Sequence, residues 1–264
     1  MSRIAWATDI HLDSAFPVMV EELVTSIQES KATGLILTGD IANGDCVATW
    51  ICELSNKLHI PIYFCLGNHD LWNRRIDDVH REVAKICDED IHWLNTSEVI
   101  ELAPATALVG GDGWYDGRAG SYYTSGFRIN DMETITDFRK IGKDASKALM
   151  ERMADKTTNR VARLAREAAE KYANVIIATH VPPFIRACRH RSQSTSNDAL
   201  PFYCNYRMGE VLVDVADDFP QTKFIVLAGH THGRGEYSPV DNLVCRVGGA
   251  EYMRPELQDV LELD

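Results

Sequence analysis

Five short apolar runs in this chain are each followed at once by side chains able to hold a divalent cation. Residues 4–8 lead into Asp9-Ile10-His11, residues 35–38 into Gly39-Asp40, and residues 62–66 into Gly67-Asn68-His69-Asp70. Residues 175–179 lead into His180, and residues 224–228 into Gly229-His230-Thr231-His232. Imidazole and carboxylate donors suit Mn, Fe, Zn, Co or Ni better than Ca or Mg. Each cluster alone has a plainer reading. Gly39-Asp40 alone is a turn, Asp9-x-His11 a pair of loop residues, and His180 a hydrogen-bonded core histidine. Five such coincidences, all at run ends, are not explained that way. His59, His80 and His92 lie in no such context and read as structural or surface residues.

The runs themselves are near-continuously apolar, as strands buried on both faces are. A sixth spans residues 107–109. Between the first two, Pro17 suits an early helical position, and Val20, Leu23, Val24 and Ile27 share a helical face. Residues 46–57 and 74–87 also read as helices. Strand, helix and strand in alternation give an α/β layered fold. In such sheets ligands bind beyond the carboxyl ends of the strands, where the five clusters would meet. Residues 236–240 and 243–247 read as a hairpin turning at Asp241-Asn242. The glycine-rich stretch after Gly110 reads as a loop, and residues 144–172 as one helix or two with Thr157-Thr158-Asn159 as the weak point. With no repeat or linker, residues 1–264 read as one domain, in which 112–172 is a candidate cap over the site.

Lys and Arg number 27 against 39 Asp and Glu, a formal net charge of −12. That balance opposes a partner such as long nucleic acid, which demands a basic face. It does not oppose a small anionic substrate, because bound metals reverse the local field. The seven cysteines form no CxxC pair, and read as free thiols of a reducing compartment. No secretory signal and no membrane-length apolar stretch is visible, which points to the cytoplasm. The sequence assigns no oligomeric state.

As a set, DxH, GD, GNH[DE], H and GHxH in this order resemble the calcineurin-like metallophosphoesterases. The match runs from Asp9 to His232 with no motif missing. The resemblance implies a four-layer αββα sandwich, two mixed β-sheets flanked by helices, with the site at the C-terminal edge of the strands. It implies two divalent transition-metal ions: one on Asp9, His11 and His232, the other on Asn68, His180 and His230, with Asp40 bridging. His69 would face the substrate phosphate as an imidazolium that protonates the leaving oxygen, and Asp70 would set its tautomer. The implied reaction is hydrolysis of a phosphate mono- or diester of a small phosphorylated substrate, nucleotides included, by water activated at the binuclear centre. The cyclic-nucleotide phosphodiesterases are the narrower alternative; a nuclease or a non-catalytic scaffold of the same fold are further ones. Ile41 follows Asp40 where the protein phosphatases of this superfamily carry Arg, and Asn43 stands where purple acid phosphatases carry a Tyr ligand. Both departures turn the reading away from those subfamilies.

Substrate contacts are less legible. Trp114, Tyr115 and Tyr122 are candidates to stack on a base or leaving group. Arg186, Arg189 and Arg191 are candidates to grip further phosphate, with Arg118, Arg128 and Arg207 behind them. The bridging assignment carries a direct expectation: Asp40→Ala loses both metals and activity. Metal content of the purified variant checks it, and unaltered loading would refute the bridge.

Overall fold

The computed structural model describes residues 2–190 and 193–263. In chain order the elements are β1 (Ser2–Ala7), α1 (Pro17–Glu29), β2 (Gly34–Thr38), α2 (Val47–Leu58), β3 (Ile62–Cys65), α3 (Ile76–Ile86) and β4 (Ile91–Trp93). They continue with β5 (Ile100–Ala103), β6 (Thr106–Gly110), α4 (Asp131–Thr134), α5 (Lys143–Ala169) and β7 (Asn174–Ala178). The last are β8 (Arg189–His190), β9 (Gln193–Ser194), α6 (Tyr206–Asp218), β10 (Lys223–Ala228), β11 (Gly235–Val240), β12 (Leu243–Val247) and β13 (Leu257–Leu263).

Two mixed sheets result, in the strand orders β13-β1-β2-β3-β4 and β11-β12-β10-β7-β6-β5. The pairs β1–β2, β2–β3 and β3–β4 are parallel, as are β12–β10, β10–β7 and β7–β6. Antiparallel β13, β11 and β5 lie at the edges. The two-residue period of a strand sorts each run between two apolar layers. On β1, Ile4 and Trp6 meet Leu108, Ile176 and Leu227 of the second sheet in the inter-sheet core, while Ala5 and Ala7 join the layer under α1, α2 and α3. On β10, Leu227 faces between the sheets, and Phe224, Val226 and Ala228 pack with residues of α5 and α6. Burial on both faces is why these runs show no polar alternation. The layers are therefore helix, sheet, sheet and helix, a mixed α/β sandwich flanked by helices.

Within residues 144–172 the chain forms the single helix α5, which ends at Ala169. The expected weak point does not break it, because Thr157 and Thr158 are buried against the fold; tertiary packing outweighs their modest helix propensity. Residues 161, 164, 165 and 168 join the apolar layer of the second sheet. The part of 112–172 that reaches the site is the preceding loop, at residues 127–131. Seven elements were not read from sequence: the two- to four-residue α4, β8 and β9, and then α6 and the three strands β4, β5 and β13. Helix α6 follows Asn205, whose side chain accepts from the Met208 N–H at 3.0 Å, an N-cap signal open to reading. The three strands are short or partly exposed edge elements with little apolar pattern.

Ile36 is fully buried between the sheets. Ile36→Ala should lower unfolding free energy by about 2–5 kcal/mol, seen as a reduced urea midpoint at unchanged slope. A loss below about 1 kcal/mol would mean that the two sheets are not tightly packed there.

Candidate metal centre

The strand ends are stitched before any ligand is placed. The N–H groups of Asp9, His11 and Leu12 donate to the carbonyls of Gly39, Asp40 and Ile41 at 3.0, 3.0 and 2.8 Å. Asp9, His11, Asp40, His230 and His232 all adopt positive φ, at 50, 39, 51, 69 and 57°. Residues other than glycine rarely enter this region, and strain there costs of order 1–3 kcal/mol each and gathers at functional sites. The chain doubles back at the strand ends, so closely spaced side chains turn inward. Gly67 must lack a side chain, because a Cβ there would collide with Asp40 Oδ1 and the Asp40 N–H.

Asn68, His180 and His230 then present only acceptors to one another. His180 Nδ1 donates to the Thr38 carbonyl at 2.8 Å, which leaves a lone pair on Nε2. His230 Nε2 donates to the Phe202 carbonyl at 2.8 Å, which leaves a lone pair on Nδ1. Asn68 Nδ2 donates to Asp131 Oδ1 at 3.0 Å, which turns its oxygen inward. That oxygen lies 3.0 Å from His180 Nε2 and 2.8 Å from His230 Nδ1. The tautomers follow from the outer hydrogen bonds, and burial lowers both imidazole pKa values, His230 to about 3. Three lone pairs this close need a cation among them. Neutral imidazole held by an outer acceptor is how metal-binding histidines are presented.

A second group adjoins the first through Asp40. Ligand atoms of Asp9, His11, Asp40 and His232 lie within 4.8 Å of one another, as do those of Asp40, His180 and His230. His232 Nε2 is 3.4 Å from Asp9 Oδ1 and 3.5 Å from His11 Nε2. Asp9 Oδ2 accepts from Thr8 Oγ1 at 2.7 Å, and both its oxygens accept from the His230 N–H at 3.0 Å. Burial, then the Asp9 and Asp70 charges, push the Asp40 carboxyl well above its usual range. Burial also lowers His11 to about 3. Asp9 moves the other way: burial alone would raise it, but the His232 hydrogen bond and the charges of His180, His232 and His11 hold it below the carboxylate range. Crowded carboxylates among buried imidazoles make a site that cations would relieve. The donor set fits two divalent ions.

The centre opens into a cavity of about 180 Å³, with Trp72, Phe127, Arg128, His190, Tyr203 and Tyr252 in its wall. His69 stands at its floor, stacked on Trp72 at 3.6 Å between ring centroids, with Nε2 3.5 Å from the Tyr252 hydroxyl. The Tyr252 ring also lies 4.7 Å from His11 and 4.9 Å from His232.

A sequence profile of calcineurin-like phosphoesterases matches residues 2–234. The chain is a calcineurin-like phosphoesterase. The family hydrolyses phosphoric esters at a binuclear divalent metal centre, and the Asp and His groups here are arranged to bind metals. Solved structures of similar fold include the phosphopantetheinyl hydrolase of Mycobacterium tuberculosis, at 14% identity over 96% of this chain and 90% of that one, TM-score 0.66. A dimetal phosphatase from Danio rerio is 14% identical over 94% and 87%, TM-score 0.58. The anchor in the inner membrane complex of Plasmodium is 14% identical over 94% and 71%, TM-score 0.54. At such identity these are likenesses of fold, and a fold hosts many roles. No curated protein matches the chain at the sequence level.

In this phosphoesterase Asp9, His11, Asp40, Asn68, His180, His230 and His232 come together, with His69 beside them. Asp70 does not orient His69. Its oxygens accept from the backbone N–H groups of Ile41, Ala42 and Gly67 at 2.8, 2.9 and 2.7 Å, so it clamps the β2 and β3 loops together. Trp114 and Tyr115 are not substrate platforms. Both are buried, the Tyr115 hydroxyl donating to Asp131 at 2.8 Å and the Trp114 ring stacked on Phe138; apolar burial outcompetes exposure at the cavity. Arg186 lies over the Tyr237 ring in a separate groove, and Arg191 falls outside the described residues. The expected imidazolium at His69 is opposed by burial and by the His11 charge, which lower its pKa to about 2. Sequence reasoning missed Asp131, which accepts from Asn68, Trp72 and Tyr115 at once. It also missed Trp72, Tyr203 and Tyr252, none of which follows an apolar run; no local signal marks them.

Asp131→Asn removes an acceptor from a site that receives three donors, so metal affinity should fall about 10–100-fold with the fold intact. Titration of chelator-stripped protein with Mn²⁺ or Zn²⁺ checks this; equal affinity would strip Asp131 of its positioning role. Metal added to stripped protein should also raise Tm, by about 2.7 kcal/mol of stabilisation at 100 times Kd. An unmoved Tm would argue against the centre.

Proposed function

We propose that this phosphoesterase hydrolyses phosphate mono- or diesters of a small substrate, with nucleotides in the accessible class. The observation that carries the proposal is the inward-facing set of three unprotonated acceptors on Asn68, His180 and His230, joined through Asp40 to a second group. In the proposed assignment Asp9, His11 and His232 hold one metal, Asn68, His180 and His230 the other, and Asp40 serves both. Two such cations supply Lewis-acid charge and an activated water for in-line displacement. His69 faces the cavity and serves the leaving oxygen. Burial and the neighbouring His11 lower the pKa of its ring, so its contribution begins as a hydrogen bond, and the phosphate charge is what favours its protonation. Trp72 and Tyr252 hold the ring in place from two sides.

The cavity volume supports a small substrate, and the net charge of −12 weighs against a nuclease. Among the described residues no helix is long and apolar enough to cross a membrane. All seven cysteines are free thiols, which supports a reducing compartment such as the cytoplasm.

Chromogenic phosphomonoester and phosphodiester substrates, assayed with Mn, Fe, Zn, Co or Ni after chelator stripping, test the reading. Metal-dependent turnover of at least one is expected; full metal loading with no turnover across cyclic nucleotides, dinucleoside polyphosphates and sugar phosphates would leave a scaffold. His69→Ala should retain metal and lose about 10²–10⁴-fold in kcat. A variant with wild-type kcat would remove His69 from the reaction.

A further inference from the structure

The arginines that the sequence offered as phosphate contacts have different fates in the folded chain. Arg118 is held by Asp155 at 2.7 Å, Arg207 pairs with Glu210 at 3.5 Å, and Arg186 lies over Tyr237 at 5.5 Å. Arg128 alone among these lines the cavity above the metal ligands. Its guanidinium has no carboxylate partner and no hydrogen bond among the described residues, in a protein with 39 acidic side chains. Arg152, Arg186 and Arg189 likewise have no carboxylate partner among the described residues, but none of them lines that cavity.

Arg128 also stands between two spaces. Phe127, Arg128 and Ile129 line both the metal cavity and a neighbouring one of about 300 Å³ whose wall includes Tyr122, Phe202 and Lys143. A substrate with its scissile phosphate at the centre and its length directed into the neighbouring cavity passes Arg128. Guanidinium presents a planar fork of donors matched to phosphate or carboxylate, and it stays charged at all working pH values. The other side chains that line this cavity are carboxylates, amides, imidazoles, neutral aromatics and Ile129, none of which offers a permanent positive charge to a second anion.

Resting on the phosphoesterase reading, we infer that Arg128 binds a second, non-scissile anionic group, so that the preferred substrates carry two anionic groups, as a nucleoside diphosphate does. With ADP the terminal phosphate lies at the metals and the inner phosphate at Arg128. Water adds to the terminal phosphorus, the bond to the bridging oxygen breaks, and AMP and phosphate leave. The adenosine beyond meets the aromatic wall at Phe127.

The test compares kcat/KM for ADP and for AMP in the metal-loaded wild type, Arg128→Ala and Arg128→Lys. Calorimetry measures binding of the non-hydrolysable α,β-methylene analogue of ADP in the same three proteins. Arg128 is exposed, so its replacement leaves the core untouched. Wild type should favour ADP. Arg128→Ala should lose about 10–100-fold in kcat/KM for ADP and in analogue affinity, against less than about threefold for AMP, with Arg128→Lys intermediate. Equal losses for AMP and ADP, or undiminished analogue binding in Arg128→Ala, would overturn the inference while phosphoesterase activity stood. Turnover of neither nucleotide together with weak, variant-independent analogue binding would overturn it as well, and inactivity on the chromogenic esters would then separate the failure of the broader reading.

Discussion

The structure depends on holding like against like. Asn68 Oδ1, His180 Nε2 and His230 Nδ1 turn lone pairs toward one point, 2.8–3.0 Å apart along two of the contacts. Left to themselves these groups would rotate to find donors. They do not, because each is tied on its far side: His180 by the Thr38 carbonyl, His230 by the Phe202 carbonyl, and Asn68 by Asp131. The outer ties set the inner chemistry, as they do around bound metals generally.

The same constraint explains the backbone. Apolar strands deliver residues to the sheet edge, but an extended chain alternates its side chains and would send half of them away. Left-handed turns at Asp9, His11, Asp40, His230 and His232 bring them back. Their strain is tolerated because the loops are laced to one another by backbone hydrogen bonds and by Asp70, whose buried carboxyl accepts three N–H groups. Asp70 is thus tied to positioning rather than to proton transfer. Beneath it, the inter-sheet core of Ile4, Trp6, Ile36, Leu108, Ile176 and Leu227 keeps the two sets of strand ends in register.

Selectivity has a different origin from catalysis. The Asp and His groups arranged to bind metals sit at strand ends, whereas most of the cavity wall comes from loops: residues 127–131, Tyr203 and Tyr252. Loops can vary without disturbing the sheets that position the ligands, so one centre can serve many esters. Asp131 links the two levels, since it starts the short helix α4 after the loop and also fixes the Asn68 amide.

What the sequence alone determined was local and repeated. Apolar runs ending in Asp, His or Asn set the strands, the parallel α/β arrangement and the prospective ligands, because strand burial and metal coordination each demand particular residue types at adjacent positions. The α/β fold and the meeting of these side chains at one sheet edge were therefore legible from Asp9 to His232. Only tertiary structure decided the rest. Whether Tyr115 stacks on substrate or hides its hydroxyl against Asp131, whether Asp70 serves His69 or the backbone, and which arginine lines the cavity depend on neighbours far away in the chain. Those outcomes come from competition for hydrogen-bond partners and buried volume, and that competition exists only once the two sheets have closed.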